Sequence, residues 1–399
     1  MGRLGQWGAG PEASLSHVTP LAWAMLALLL GLVLSGIDLV RGISRIERLA
    51  DLPSLAGPAP LVSMVVPARN EERNVEAAAR SLLAQKYPAL EIIAVEDRST
   101  DRTGPILDAL SSGDARLRVV HITELPPGWL GKNHALALGA AAARGEWLLF
   151  ADADIIMAPD AVSRAVAYAE RRGVDHLTIL PDTLMPGLLL KGFVCVGIVI
   201  FGMALRPWKA RDPRSRSFVG VGAFNLVRAG AYARAGGHEP IRLRPDDDIK
   251  LGKILKRSGA RQDALAGRGM VSVEWYRSIG ETIDGLMKNS FSVVQYNPLW
   301  MILGAGVYIV VGLAPLAALG LGSGLLRLLG AGAVLVQLLV HLFVAHEAGL
   351  PRRAVLLYPL IYLLFAWILV RALVLNLSQG GIVWRGTFYP LSELRKNRI

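Results

Sequence analysis

Residues 147–154 read Trp-Leu-Leu-Phe-Ala-Asp-Ala-Asp, a short apolar run that ends in two carboxylates. Three earlier runs have the same form, and each ends in polar or special residues: 61–68 (LVSMVVPA), 90–97 (LEIIAVED) and 117–123 (LRVVHIT). Stretches with helical character separate them, such as 71–85 and 134–143. Short buried strands that alternate with helices predict an α/β fold with a mostly parallel sheet covered by helices on both faces. Such sheets bind ligands at the carboxyl ends of their strands, which is where the polar residues stand.

Asp152 and Asp154 are the candidates for a metal site. Residues two apart on a strand point the same way, so both carboxylates are expected to converge on one hard cation. Mg²⁺ or Mn²⁺ fits this prediction, because these ions bind through one or two carboxylates together with substrate phosphates. A lone D-x-D is a weak signal, but its position directly after a buried strand, with Lys132 upstream, strengthens it.

Lys132 stands in a constrained loop, Pro126–Ala135 (PPGWLGKNHA), that leads into a helix. A helix amino end favours an anion, because its backbone N–H groups and dipole are directed toward it. The spacing G-x-x-x-x-G-K-[ST] is absent, so the loop is not a P-loop. The alternative is a lysine that only meets solvent.

The first two strands also end in candidate residues. After the first strand comes Pro67-Ala68-Arg69-Asn70-Glu71, in which Asn70 is expected to cap the next helix and Glu71 to lie in its first turn. Asp97 ends the second strand, where an acid accepts hydrogen bonds from a base or a ribose hydroxyl. Simple helix initiation is the alternative at both places.

A third set of acids, Asp246-Asp247-Asp248, precedes a helical stretch. Counting by helical turns, Asp246 shares a face with Lys250, Lys253 and Arg257, which predicts a charged face toward solvent. Asp247 and Asp248 lead to leucines and isoleucine and are expected to face the protein body. Spacing cannot choose between them, and a charged helix start favoured by the dipole is the alternative for all three.

The composition of the 399-residue chain points to lipid: 53% of the residues are hydrophobic and 19% are charged. The formal net charge of +11 suits an anionic membrane surface or a phosphorylated substrate, and the hydrophobicity argues against nucleic acid as a partner. The single cysteine, Cys195, excludes an internal disulfide framework and a cysteine-built metal site.

Apolar segments predict the membrane organisation. Within residues 1–50, a helix over about 20–40 is an anchor, and the arginines that follow it place its carboxyl end in the cytoplasm. The remaining boundaries are a linker at 51–60, an α/β domain at 61–298 with a membrane-interfacial or buried core helix at 188–205, about three helices at 299–376, and a basic tail at 377–399. Counting three spans puts the tail outside, which conflicts with its charge unless the last segment is re-entrant.

In this order the motifs resemble those of a family 2 glycosyltransferase with the GT-A fold. The signatures are PARNE at 67–71, EDRSTD at 96–101, GWLGKNHAL at 128–136, DAD at 152–154, GVGAFNLVR at 220–228 with GGH at 236–238, and DDDIKLGKILKRSG at 246–259. They extend over about residues 60–298. The flanking helices fit the membrane-bound, ceramide-glucosyltransferase-like branch. The PPGWLGKNHA loop and the WRGTFYPL tail are most similar to bacterial lipid and carotenoid glucosyltransferases, such as the hydroxychlorobactene type.

The resemblance implies an inverting transfer from a nucleotide sugar, most simply UDP-glucose, to a hydroxyl or carboxylate of a lipid in the plasma membrane. It also implies a divalent cation, Mn²⁺ or Mg²⁺, and the following roles. On the donor side, the nucleoside is held by Pro67, Ala68, Glu71 and Asp97, Lys132 lies near the donor, and Asp152 helps to hold the sugar nucleotide. The metal is bound by Asp152 and Asp154, while Asp248 is the base and Asp247 its supporting acid. The acceptor side is formed by Gly222, His238, Trp275 and Arg277.

One family element is missing. The branch commonly carries Q-x-x-R-W after the base, whereas residues 272–277 read SVEWYR and residues 285–289 read GLMKN. Trp275, Arg277 and Lys288 are the candidate substitutes.

Three other functions fit the sequence less well. A processive polysaccharide synthase is disfavoured by the missing Q-x-x-R-W element and the small number of C-terminal helices. An inactive scaffold is disfavoured by the intact acids. A dinucleotide oxidoreductase is disfavoured because no G-x-G-x-x-G follows the first strand.

Overall fold

The computed structural model describes residues 19–397 and 399, without the side chain of Lys288, so residues 1–18 of the predicted N-terminal segment and any role of the Lys288 side chain lie outside the described residues. The strands are β1 Val62–Ala68, β2 Leu90–Asp97, β3 Leu117–Ile122, β4 Trp147–Phe150, β5 Ile155–Met157, β6 His176–Leu180, β7 Asp182–Leu184, β8 Asn225–Arg228, β9 Gln262–Ala266, β10 Val271–Glu274, β11 Gly381–Trp384 and β12 Thr387–Pro390. The helices are α1 Pro20–Ile43, α2 Val75–Leu83, α3 Thr103–Gly113, α4 Gly131–Ala142, α5 Ala161–Arg172, α6 Gly187–Leu205, α7 Ala229–Arg234, α8 Asp247–Arg257, α9 Ile279–Val293, α10 Pro298–Leu321, α11 Gly324–Glu347, α12 Tyr358–Gln379 and α13 Leu391–Leu394.

Seven strands form the central sheet in the order β3-β2-β1-β4-β8-β6-β9. Strand β8 runs antiparallel to both of its neighbours, and the other pairs are parallel. Successive side chains of a strand point to opposite faces. Accordingly, Met64 packs in a core with α2 and α5, and Val65 packs in a second core with α4 and α8. The predicted α/β fold with a mostly parallel sheet is confirmed.

Two local predictions were wrong. Helix α2 begins at Val75 rather than at 71, and Asn70 does not cap it. Asn70 has a left-handed φ of 55°, and its Oδ1 accepts a hydrogen bond from the backbone N–H of Thr100, 2.8 Å away. Asp152 and Asp154 lie in the loop between β4 and β5, so loop geometry and not strand alternation brings them together. The start of α4 at Gly131 confirms that Lys132 stands at a helix amino end.

Five of the described helices are long and apolar enough to cross a membrane: α1, α6, α10, α11 and α12. Helix α6 follows β7 directly, and just beyond its other end Ala210 packs with Val219 and Ala264. Both ends of α6 are therefore attached to the α/β domain.

Helix α12 is also attached at both ends. Shortly before it, backbone oxygens of His346 and Glu347 accept hydrogen bonds from Arg268, which lies between β9 and β10. After it, strands β11 and β12 pair as a hairpin, and Arg385 at the hairpin's turn forms an ion pair with Glu71. The tail thus folds back on the α/β domain, whereas the path of the last segment through a membrane stays a prediction.

Candidate active site

Lys132 joins two groups of acids. Its Nζ lies 2.8 Å from Asp152 Oδ1 and 3.4 Å from Asp247 Oδ2. Burial opposes the charge of this ammonium, but the surrounding carboxylates of Asp152, Asp247 and Asp248 outweigh burial and raise its pKa. The lysine therefore stays protonated and holds the β4–β5 loop next to the start of α8.

Asp248 is oriented by two backbone donors. Its Oδ2 accepts a hydrogen bond from the N–H of Gly222 at 2.8 Å, and its Oδ1 accepts one from its neighbour Ile249 at 2.7 Å. Burial raises the pKa of Asp248, and burial raises that of Asp247 to about 7. Both acids line a large cavity, but Asp248 is half-buried whereas Asp247 is almost fully enclosed. Asp248 is thus the better placed of the two to meet a substrate.

Gly222 connects Asp248 to Asp152, because its carbonyl accepts a hydrogen bond from the N–H of Asp152 at 3.0 Å. A Cβ at position 222 would lie 2.4 Å from Asp152 Oδ2, and one at Gly220 would lie 2.0 Å from the carbonyl oxygen of Asp248. Glycine is therefore required at both positions, because the neighbouring atoms leave no room for a Cβ. Gly222, predicted on the acceptor side, contributes backbone groups that position two acids.

Asp246 contradicts the prediction of a solvent-facing charged face. It is 4% exposed and forms ion pairs with Arg244 at 3.0 Å and Lys250 at 3.1 Å, both of which are buried as well. Arg244 also donates to the backbone oxygen of Ser292 in α9. Of the predicted face, only Arg257 is fully exposed. Helical spacing failed here because α9 and the residues before α8 cover this side of the helix.

The residues predicted to hold the nucleoside lie along the same cavity. Pro67 and Ala68 end β1, and Asp97 ends the neighbouring strand β2. Asp97 pairs with Arg98 at 2.7 Å and with Arg69 at 3.6 Å. These residues meet because parallel strands end at one edge of the sheet.

Asp154 has the properties of a cation ligand. Burial, with the charges of Asp152 and Glu71, raises its pKa to about 7. Among the described residues, no lysine or arginine forms a salt bridge with it. A half-buried carboxylate beside two others fits a divalent cation completed by donor phosphates. No group of three or more potential metal ligands is preassembled in the described part of the chain.

The predicted acceptor-side residues separate into two places. Trp275 and Arg277 line the large cavity, with Trp275 stacked on Tyr276 and Arg277 paired with Glu274. His238 lines a different, small cavity of about 10 Å³ behind Lys132, large enough for about one water. Burial lowers the pKa of His238 to about 3, and the nearby Lys132 adds to this effect.

The large cavity has a volume of about 1,680 Å³ and two unlike ends. One end contains the acids and Lys132. The other is lined by apolar side chains of the membrane-type helices, among them Phe193, Phe201, Tyr308, Phe365 and Leu369. The shape of this second compartment could not be derived from the sequence, because it forms between helices that are distant along the chain.

Residues 63–181 match the model of the family described as Glycosyl transferase family 2. This part of the chain, less than half of its length, is similar to a family 2 glycosyltransferase domain. The match covers β1 to the end of β6, which includes Lys132, Asp152 and Asp154. It confirms the family that the motifs predicted, whereas the ceramide-glucosyltransferase-like branch stays a prediction.

The relatives of this chain include one glycosyltransferase that is named without an acceptor and one that is named by its acceptor. The uncharacterized glycosyltransferase EpsJ of Bacillus subtilis (strain 168) is 36% identical over 116 residues, 29% of this chain and 32% of that protein. The 4,4'-diaponeurosporenoate glycosyltransferase of Staphylococcus haemolyticus (strain JCSC1435) is 26% identical over 235 residues, 57% of this chain and 60% of that protein. The chain thus matches between a third and three fifths of the length of these two relatives.

A solved structure shares the fold of this chain. It is a mannosyltransferase, PcManGT from Pyrobaculum calidifontis, in complex with GDP-Man and Mn²⁺. The TM-score is 0.55 at 19% identity, and the likeness covers 90% of this chain and 98% of the other. At this identity the likeness supports the GT-A-like fold and carries no conclusion about donor or metal.

Proposed function

We propose that this protein transfers a single sugar, glucose from UDP-glucose, to a hydroxyl or carboxylate of a membrane lipid such as a carotenoid, hopanoid or sphingoid lipid. The observation that carries the proposal is the continuous cavity, which joins the acids at the strand ends to an apolar compartment between α6, α10 and α12. A polar donor and an apolar acceptor would need such a site with two unlike ends. The name of the Staphylococcus haemolyticus relative, a diaponeurosporenoate glycosyltransferase, favours an apolar acceptor of the carotenoid kind.

In the proposed reaction, an acceptor oxygen attacks the anomeric carbon of the sugar. Asp248 takes the proton of an attacking hydroxyl while the bond from that carbon to the diphosphate breaks and the nucleoside diphosphate leaves. An acceptor carboxylate, already ionised, needs no such proton transfer. With the base and the leaving group on opposite sides of the sugar, the anomeric centre inverts and a β-glucoside results.

Other residues hold the reactants in place. Lys132 carries a fixed positive charge beside Asp152 and Asp247, so it is suited to orient the donor's sugar and phosphates. Pro67, Ala68, Glu71 and Asp97 would hold the nucleoside, and Trp275 and Arg277 would border the acceptor. Asp154, with Asp152, would hold Mn²⁺ or Mg²⁺, which when bound would neutralise charge on the departing diphosphate.

We also propose that the protein is a multi-pass protein of the plasma membrane with its catalytic domain in the cytoplasm. The basic residues Arg41, in the last turn of α1, and Arg45 and Arg48, just after it, lie at the end of α1 that leads into the α/β domain, where Arg48 pairs with Glu347 at 3.0 Å. Basic residues are enriched on the cytoplasmic side of membrane helices. The supply of nucleotide sugars in the cytoplasm agrees with this orientation.

The experiment gives the purified full chain UDP-glucose, UDP-galactose or GDP-mannose together with lipids extracted from the source membranes. We expect a lipid product that carries one or a few hexoses, with UDP-glucose as the best donor. A long polysaccharide product would favour the processive alternative, and a chain without transfer or donor hydrolysis would contradict the proposal.

A pair of variants tests the acceptor compartment. Gly197 of α6 lines it, and a Cβ added there would lie 4.0 Å from the ring of Phe365, so Gly197→Leu should fill part of the space. Gly306 of α10 is exposed and has open space beside it, so Gly306→Leu is the matched control. We expect Gly197→Leu to raise the KM for lipid without changing donor hydrolysis in the absence of lipid. Equal KM values in the two variants would contradict an acceptor in this compartment.

A further inference from the structure

The hairpin of β11 and β12 is built onto the donor side of the candidate site. Its side chains Ile382 and Tyr389 are buried in a cluster that includes Leu130, the residue before α4. The phenol of Tyr389 lies close to the backbone of Gly131, the first residue of α4. The hairpin therefore contacts the loop that presents Lys132.

Arg385 stands at the turn of this hairpin and reaches into the donor end of the large cavity. Its guanidinium donates to the backbone oxygen of Arg69 and, at 2.7 Å, to Glu71 Oε1. Arg385 and Gly386 have φ values of 47° and 79°. Positive φ at both central residues is typical of the two-residue turn that favours Asn-Gly, so an arginine at the first position is conformationally costly. A cost of this kind points to a role for the side chain.

The donor end of the large cavity is lined by many carboxylates, and this negative charge favours a cation there. The cavity is lined by the carboxylates Glu71, Asp97, Asp152, Asp154, Asp247 and Asp248. A nucleoside diphosphate brings further negative charge. Among nearby cations, Lys132 is shared by Asp152 and Asp247, and Arg69 is paired with Asp97. The planar fork of Arg385, 41% exposed, is placed to exchange a carboxylate for phosphate oxygens.

We infer that Arg385 is a donor-binding residue that contacts the diphosphate of the nucleotide sugar, so that the tail hairpin completes the donor site. This inference rests on the proposed function, because it requires a nucleotide-sugar donor. In the ligand-free chain Glu71 and the Arg69 carbonyl hold the guanidinium in position. When donor binds, the phosphate oxygens replace at least one of these two acceptors.

The test compares the affinities of a diphosphate and of its nucleoside. Titration calorimetry on the detergent-solubilised full chain, at fixed Mg²⁺, gives Kd values for UDP and for uridine, with GDP and guanosine as a second pair. We expect Arg385→Ala to weaken the binding of the diphosphate by about tenfold or more, as for the loss of a charge-assisted hydrogen bond, and to leave the nucleoside affinity unchanged. Arg385→Lys, which keeps the charge but loses the fork, should fall between Arg385→Ala and wild type.

Lys396→Ala is the matched control, because Lys396 is an exposed cation of the same tail that does not line the cavity. It should bind both ligands as the wild type does. The inference would be overturned if wild type and Arg385→Ala bound the diphosphate with equal affinity. It would also be overturned if Arg385→Ala lost the same affinity for the diphosphate and for the nucleoside, because the hairpin would then only shape the pocket. A wild-type chain that binds neither UDP nor GDP would overturn the proposed function and this inference together.

Discussion

Lys132 Nζ lies 3.4 Å from Asp247 Oδ2, and this ion pair fixes the first turn of α4 against the start of α8. Asp247 and Asp248 both border the cavity, but Asp247 is almost fully enclosed, whereas Asp248 is half-buried. The charge of Asp247 is therefore already engaged, whereas the carboxylate of Asp248 is held by the backbone N–H groups of Gly222 and Ile249. This difference assigns the two acids different roles in the proposed reaction.

The first prediction concerns the base. Asp248→Asn should lower kcat for a hydroxyl acceptor by about 10²–10⁴-fold, the usual contribution of a positioned general base, with little change in donor affinity. Steady-state kinetics with UDP-glucose measure both quantities. Asp108→Asn, at an exposed acid of the α/β domain, is the control. Wild-type turnover in Asp248→Asn, or an α-linked product, would contradict the assignment.

The second prediction concerns the divalent cation. Asp154→Asn should reduce transfer by about 100-fold or more, because charge on the leaving diphosphate would no longer be neutralised. A chelator in excess should reduce wild-type activity to a similar extent, and added Mn²⁺ or Mg²⁺ should restore it. Asp160→Asn, at the start of α5, should keep both the activity and the response to metal. Full wild-type activity in excess chelator would refute the metal role of Asp152 and Asp154.

The third prediction concerns stability. Asp246→Asn should leave Arg244 and Lys250 buried without their anion and lower the free energy of unfolding by about 3–5 kcal/mol. Glu239→Gln removes an exposed partner of Arg242 and should cost about 1 kcal/mol or less. Thermal unfolding in one detergent compares the two variants. Equal transition temperatures would show that the buried cluster contributes no more than a surface pair.

The fourth prediction concerns the close approach at Gly222. In Gly222→Ala the new Cβ must displace Asp152, and the shift reaches Asp248 through the hydrogen bond from Gly222. We expect kcat to fall by about 10²-fold, as for a misplacement of about 1 Å at a reacting group. Gly113→Ala, where the structure leaves open space, is the control. Unchanged kinetics in Gly222→Ala would mean that the two acids tolerate the shift.

Much of the candidate site could be predicted from the sequence because its residues stand at strand ends. Asp97 is the last residue of β2 and the Asp152–Asp154 loop follows β4, and parallel strands bring such ends to one edge of the sheet. Lys132 could be placed near the amino end of a helix because a loop rich in proline and glycine leads into that helix. Local pattern and sheet geometry were sufficient for these residues.

Helical spacing was not sufficient for Asp246. The sequence indicates the face of α8 on which Asp246 lies, but not what covers that face. Arg244 and the end of α9 enclose it, and a buried ion cluster replaces the expected solvated surface. Periodicity reports the relative direction of side chains, and burial depends on contacts that are distant along the chain.

The sequence by itself determined the α/β fold, the apolar helices and the acids at the strand ends, because each depends on residues close together in the chain. Only the tertiary structure decided that the tail returns to the edge of the large cavity, where Arg385 meets Glu71, and that α6, α10 and α12 line an apolar compartment of the same cavity as Asp248. The hydrophobicity of these helices predicts that they lie either in a membrane or in a protein core. Their mutual packing depends on the shapes of surfaces that form only after the chain has folded, so no local pattern records it.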